Sequence, residues 1–552
     1  MVRACTNCVR AKARCSVTHG EKCERCHRMN KDCHPSPPVR KRRAVKKQPR
    51  SNARVEELEE KFNQLVVLLQ STSTTYTSSG GSTAAESDRG STAAPVPPAV
   101  ESTSRDLLLP AELEPSISDS ERYLDRFRSE IVANLPFLVL SPSITARQLR
   151  QERPLLWLSI ITVACTRPAQ QRALSKEVRA VFGREAFVEG TRDLDFLCAV
   201  LVYAAWDKWF AFDKCITTSL VHLAISILYE LGLDKPPCQD PGLIAFYDLK
   251  ERKKPARLLR PPTLEERRLV LGCFLVSTVS SIQGKGESLK WTPYFDQCVR
   301  ALEEKHEHAS DLLLTHLAKL RLISEHAAEY LASTEYTDPT LRADASVFLK
   351  SLHAQLRTVK STIPPELRRN KILLLELHNM ESTIHQVGFL PVAVSVANSG
   401  NTGASSQAPA QAACMHACMQ SAKDTLDTFL TIPPAEYVGF TALVHTNMMR
   451  AFITLYRLAI YEHPAWDAAV LHENVDVSWA LGETSRRFAM VKDVAGLQMG
   501  DGEQASTFDI MAGMVAKMKR SWDAMVAAAE EDRMAGVDSF GLDFMELWDW
   551  PS

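Results

Sequence analysis

No run of about 18 or more apolar residues, the length needed to cross a membrane as a helix, occurs in this 552-residue chain. The longest runs, Leu155–Cys165 and Phe196–Trp206, have 11 residues each and suit buried helices. The first residues, Met1-Val2-Arg3-Ala4-Cys5-Thr6, carry no apolar segment ahead of a cleavage site, so no secretory signal is expected. Alternating apolar–polar runs around a hairpin turn are also missing. The one Asp-Gly pair, Asp501-Gly502, joins two helical stretches. No internal repeat of fixed period is present. Composition is ordinary, with 45% hydrophobic and 24% charged residues, which excludes full disorder, a collagen-like repeat and a small disulfide scaffold. The length predicts about three to five domains of a soluble intracellular protein.

What is present is unevenly spread. The net charge of −1 conceals a basic end: residues 1–50 carry 15 Lys+Arg against 3 Asp+Glu, a net of +12, and the other 502 residues sum to −13. A basic head on a weakly acidic body points to a polyanion, with nucleic acid the leading candidate. Cysteine follows the same split, with six of 14 between Cys5 and Cys33. Where thiols stay reduced, such a cluster more often binds metal than forms disulfides.

The six are Cys5, Cys8, Cys15, Cys23, Cys26 and Cys33, spaced C-x2-C-x6-C-x7-C-x2-C-x6-C, one half-motif written twice. Zinc takes four tetrahedral ligands. One four-thiolate site leaves two thiolates unused. Two sites need eight metal–sulfur bonds, which six thiolates supply only if two of them bridge. The arithmetic closes for two Zn2+ per chain. Six thiolates and two Zn2+ sum to −2, offset by nearby Arg and Lys. Metal binding would also explain how about 30 residues without an apolar core fold. His19, His27 and His34 lie close by, but the thiolates already satisfy both metals, so surface or phosphate-facing roles are expected for them.

Residues 4–33 resemble the fungal Zn2Cys6 binuclear-cluster transcription factors. The resemblance implies that Cys5 and Cys23 bridge the metals, and that the segment after the second cysteine, Val9-Arg10-Ala11-Lys12-Ala13-Arg14, is a short helix entering the major groove at a CGG triplet. Lys12 stands where the family keeps its base-reading lysine, facing guanine O6 and N7. Arg10 and Arg14 become phosphate contacts. Val9 departs from the Arg that usually follows the second cysteine, which puts in doubt the side chains supporting the base contact. By the same resemblance the chain is a sequence-specific, DNA-binding regulator of RNA polymerase II transcription, and not an enzyme.

After the 1–34 DNA-binding domain, Pro35-Ser36-Pro37-Pro38 opens a basic linker, 35–50. It holds Arg40, Lys41, Arg42 and Arg43, read as a nuclear import signal, a phosphate-contacting arm, or both. Within 51–70, Val55, Leu58, Phe62, Leu65 and Leu69 form an a/d seam, predicting a short coiled-coil helix and a homodimer, with Arg54 and Glu59 placed to bridge between chains. Residues 71–105 are Ser/Thr/Gly/Pro-rich and read as a disordered linker.

From 106 to 535 the texture is helical. Apolar residues recur at helical spacing over Tyr123–Leu135, Leu155–Ala164, Leu194–Trp209, Thr217–Leu233, Glu265–Ile282, Asp311–Leu331, Leu341–Ile363 and Ile372–Val387. After a predicted surface loop at 398–410 they resume over Ala412–Leu430, Val438–Tyr461, Val477–Val491 and Ala505–Ala529. Gly232 and Pro364-Pro365 read as helix stops. The expected fold is mostly α: a small binuclear zinc-cluster head, a short coiled-coil helix and a large all-α regulatory domain. Leu155-Leu156-Trp157-Leu158 and Leu228-Tyr229-Glu230-Leu231-Gly232-Leu233, among other segments, resemble the fungal middle homology region of such regulators.

No catalytic signature stands out. Gly284-Lys285-Gly286-Glu287-Ser288 lacks the spacing of a phosphate loop, and His306-Glu307-His308 lacks the i, i+4 pair of a zinc protease. Cys414 and Cys418, and the Trp206/Trp209 pair, read as core. The tail 536–552 mixes four acidic and seven large apolar residues between Asp538 and Trp550, the texture of an activation segment that binds coactivators. Two rivals remain: a zinc-cluster protein whose helical domain senses a small molecule, and an enzyme carrying a zinc module for localisation.

Overall fold

A computed structural model describes residues 5–10, 15, 22–34, 109–210, 215–237, 260–282, 288–336, 345–389, 404–499 and 505–535. The chain divides into two units, Met1–Ala99 and Val100–Ser552. Lys12, Arg14, the basic run Arg40–Arg43, the heptad helix, the 71–105 linker and the 536–552 tail lie outside the described residues.

The described residues of the first unit include two short helices, α1 (Thr6–Arg10) and α2 (Glu24–Arg28). The second is built from longer ones around a single apolar core, with no strand among the described residues beyond one isolated bridge, His463–Trp466. None of its described helices is long and apolar enough to cross a membrane.

At the centre of that core, α3 (Pro154–Ala164) packs on α4 (Leu194–Phe210). Every residue of α3 is buried, as expected of a helix apolar on all sides. Its first amides need acceptors, and Asp195 of α4 supplies them, accepting from Leu155 N at 3.0 Å and Leu156 N at 2.9 Å. Burial pushes the Asp195 carboxyl up to about 6 despite those two bonds. Asp207, at the other end of α4, likewise accepts from Ile216 N ahead of α5 (Thr217–Glu230) and pairs with Arg179 at 2.7 Å. After α5 the chain turns at Gly232, in the left-handed region at φ 65°, with Leu233 N bonded back to Leu228 O.

Most helices stand where apolar periodicity places them; five departures have physical reasons. Pro168–Phe187 and Pro293–Lys305 are helices that the periodicity reading passes over. The first buries only a narrow stripe, including Leu174, Val178, Val181 and Phe182, among many charges. Both begin with proline at N1, the signal that would have found them. Residues 404–410 of the predicted 398–410 loop are instead helical, because helix Ala404–Leu430 starts inside that stretch and takes in Pro409. Pro409 is the sixth residue of that helix, so its missing N–H costs one early hydrogen bond.

The other two departures are a single contact. The Tyr123–Leu135 pattern is α-helical only to Arg126, then forms a π turn at Phe127–Ile131 and a 3-10 turn at Val132–Asn134. Val438–Tyr461 likewise splits into a 3-10 segment, Pro434–Gly439, and a helix, Ala442–Ala459. The irregular segments touch: a Cβ on Gly439 would stand 2.3 Å from Glu130 O and 2.8 Å from Asn134 Nδ2. Only glycine lets the backbones meet.

Helices Ser310–Tyr336, Lys371–Phe389 and Ala442–Ala459 enclose a polar knot. Arg321, fully buried, bonds Glu376 Oε2 at 2.6 Å and Asn447 Oδ1 at 2.9 Å. Asn447 Nδ2 donates to Glu376 Oε2 at 2.8 Å, and Asn379 Nδ2 to Asn447 Oδ1 at 2.9 Å. Removing one charge strands the other. Arg321→Met is therefore expected to destabilise the chain by about 3–5 kcal/mol in urea unfolding, and Arg321→Met with Glu376→Met by less. A double variant weaker than the single one would contradict this.

Candidate metal centre

Among its described residues the head has no apolar core of the usual kind. The buried ones are Cys5, Cys8, Cys23 and Cys26, with Cys15 and Cys33 packed against them. The repeated half-motif folds the same way twice. Cys8 N donates to Cys5 Sγ and Cys26 N to Cys23 Sγ, both at 3.4 Å, so each first cysteine caps the short helix carrying the second. Cys5 N donates to Cys15 Sγ at 3.4 Å and Cys23 N to Cys33 Sγ at 3.3 Å, drawing in the third thiol of each half. The turn after α2 runs through Asn30 at φ 46°, with Lys31 N bonded to Cys26 O at 2.9 Å. Asparagine tolerates that left-handed conformation better than most residues.

Two groups of four thiols result, Cys5/Cys8/Cys15/Cys23 and Cys5/Cys23/Cys26/Cys33, in each of which all sulfurs lie within 4.8 Å of one another. Cys5 and Cys23 belong to both. The sulfur separations Cys5–Cys23 and Cys8–Cys23 are 3.7 Å, and Cys5–Cys26 is 3.6 Å. A disulfide needs about 2.05 Å. A tetrahedron of sulfurs at about 2.3 Å from a zinc ion has edges of about 3.8 Å. The spacing fits metal-bound thiolates, and the donor set fits a soft or borderline cation. Among the described residues neither group includes a histidine, and His27 and His34 are exposed.

The thiols are unequal. The Cys8 amide hydrogen bond draws the Cys5 thiol down to about 6, and the Cys26 amide lowers that of Cys23. Burial pushes Cys8 and Cys26 up to about 12. The two shared thiols are thus the readiest to ionise, and a metal ion must displace protons from the others.

Two residues outside the cysteine pattern close the head. Thr6 donates to His34 O from its amide at 3.0 Å and its hydroxyl at 2.9 Å. Asn7 Nδ2 donates to Asp32 O at 2.7 Å. Both tie the first half to the end of the second, and sequence spacing carried no signal for either. Arg10 ends α1 and is exposed. The helix thus spans Thr6–Arg10, starting ahead of the second cysteine rather than after it.

Elsewhere, Cys418 is buried against Ser382 and Trp206 is buried in the core, where sequence reasoning put them; among the described residues no further group of metal ligands forms.

Comparison with known proteins gives the context. The chain is 29% identical over 534 residues to the transcription factor opdL of Penicillium oxalicum, covering 94% of this chain and 88% of that one. It is 29% identical over 445 residues to the transcription factor himD of Aspergillus japonicus, covering 80% and 70%. A transcription factor of Aspergillus terreus is 26% identical over 525 residues, covering 86% and 80%. Its relatives are fungal transcription factors. The chain is similar to these transcription regulators over most of its length, and its cysteine cluster fits the Zn2Cys6 pattern. Residues 434–544 match the family model ATEG07667_C, described as a C-terminal domain. No solved structure matches.

The Asn7 bond should matter to the rate at which metal escapes. Asn7→Ala is expected to leave the metal content unchanged and to speed transfer to a chelator about five-fold, the equivalent of one hydrogen bond of ~1 kcal/mol. Unchanged transfer would show that the bond holds nothing.

Proposed function

We propose that this chain is a nuclear, sequence-specific DNA-binding protein that activates RNA polymerase II transcription. The observation that carries the reading is the pair of four-thiol groups sharing Cys5 and Cys23, at the end of a chain similar to fungal transcription factors. In this reading Cys5, Cys8, Cys15, Cys23, Cys26 and Cys33 hold two zinc ions, with Cys5 and Cys23 bridging. Zinc supplies the folding free energy that an apolar core would otherwise provide. The protein's own side chains then do the recognition. Lys12 reads guanine O6 and N7 of a CGG half-site. Arg10 and Arg14 contact phosphates beside it, and Arg40, Lys41, Arg42 and Arg43 extend that contact along the backbone and carry the nuclear import signal. The net charge of +12 on residues 1–50 supports the polyanion partner.

One head reads about three base pairs, too few to select a genomic site, so either a second head or extra contacts must add specificity. The 51–70 seam supplies it by pairing two chains. The 106–535 domain regulates, and the acidic–aromatic tail 536–552 recruits coactivators.

Two experiments test this. Lys12→Ala is expected to cost about 1–3 kcal/mol on a CGG site and relax preference at the guanines, whereas Arg42→Ala weakens all sequences alike and flattens the salt dependence. Equal losses for Lys12→Ala on specific and random DNA would reduce it to a phosphate contact. Leu58→Asp with Leu65→Asp should keep the metal while affinity for paired CGG sites falls toward that for a single site. A double variant that binds paired sites as well as the parent rules out the dimer.

A further inference from the structure

Between the loop 137–144 and the start of helix Leu264–Ile282 lies a cavity of about 430 Å3, within the ordinary range for small-molecule pockets. One side is apolar, with Phe137, Leu140 and Ile144 of the loop, Leu149 of helix Ala146–Glu152, and Leu264. The other side is charged. Three carboxylates, Glu152, Glu265 and Glu307, line it together with two arginines, Arg153 and Arg268, a net of −1. Glu152, Glu307 and the neighbouring His308 are exposed, so the charged side is the one that meets solvent.

The arginines are only partly used. Arg268 is 3% exposed and held by two carboxylates: Nε donates to Asp311 Oδ1 at 2.6 Å, and Nη2 to Asp311 Oδ2 at 3.0 Å and Glu307 Oε2 at 2.6 Å. Its Nη1 has no acceptor among the described residues. Arg153 Nη2 pairs with Glu265 Oε1 at 2.6 Å, while its Nη1 meets only the Cys198 sulfur, a weak acceptor, at 4.0 Å. The carboxylates also have capacity to spare. Glu152 has no partner among the described residues, and there Glu265 Oε2 and Glu307 Oε1 accept nothing. A buried guanidinium with idle N–H groups calls for an acceptor, and a surplus carboxylate calls for a cation. Arg153 and Glu265, joined as a pair, place both demands side by side.

We propose that this cavity binds an apolar α-amino acid, whose ammonium and carboxylate are carried on one carbon. Its apolar side chain lies along Phe137, Leu140 and Leu149. Its carboxylate accepts from Nη1 of Arg153 and Arg268, and its ammonium donates to Glu152 and Glu265. An amine alone leaves the guanidinium N–H groups without an acceptor, and an acid alone adds a negative charge to a site that already has one in excess. The site lies wholly within the second unit and does not depend on the reading of the head.

The test is calorimetric titration of the full chain with L-phenylalanine. Phenethylamine and 3-phenylpropionate serve as comparisons, the first lacking the carboxylate and the second the amine. One L-phenylalanine per chain is expected to bind saturably, and each comparison about ten-fold more weakly or worse. Glu152 is exposed and supports no other side chain among the described residues, so Glu152→Gln keeps the fold. It should weaken L-phenylalanine and phenethylamine about five-fold without weakening 3-phenylpropionate. Leu140→Trp fills the apolar side and should abolish binding; if that variant does not fold, Glu152→Gln decides alone. No saturable binding of L-phenylalanine, a comparison bound as tightly as L-phenylalanine, or parental affinity in Glu152→Gln would overturn the proposal.

Discussion

The head has thiols where a domain of ordinary size has leucines. Among its described residues only four of its six cysteines are buried, and as thiolates their sulfurs, 3.6–3.7 Å apart, repel unless a cation lies between them. Thiols of raised pKa at Cys8 and Cys26 show the cost of charge there: burial penalises their charged forms, and a divalent cation reverses the penalty. Everything assigned to the head follows from this constraint. The helices α1 and α2 are five residues each, too short to persist alone. They are fixed because their capping atoms, Cys5 Sγ and Cys23 Sγ, are also the two sulfurs common to both groups.

The second unit obeys the opposite economy. Its helices are long and bury a continuous apolar core, and Asp195 and Asp207 satisfy helix starts that have no side-chain cap of their own. Its irregular features concentrate where Gly439 meets Glu130 and Asn134. There the π turn and the broken helix Val438–Tyr461 are two sides of one close backbone approach.

How far the residues foretold this depends on the range of the interaction. The metal centre is countable in the primary structure because ligand number and spacing are local properties of Cys5–Cys33. Helices such as Leu155–Ala164 are legible because burial on all sides leaves an unbroken apolar run. Pro168–Phe187 was not, since its stripe is narrow and its charges mask it, although Pro168 marked its start. The 398–410 stretch looked like a loop by composition, yet the helix begins at Ala404. Thr6 and Asn7 close the head through bonds to carbonyls of His34 and Asp32, which no spacing rule reveals.

The number of cations per chain distinguishes a shared-thiolate pair from a single four-thiolate site. Native mass spectrometry of the full chain, alongside elemental analysis, reads it directly. Two zinc ions per chain are predicted, lost together on chelation with loss of structure in the head. One zinc ion per chain, or a head that stays folded without metal, would contradict the two-site, shared-thiolate centre.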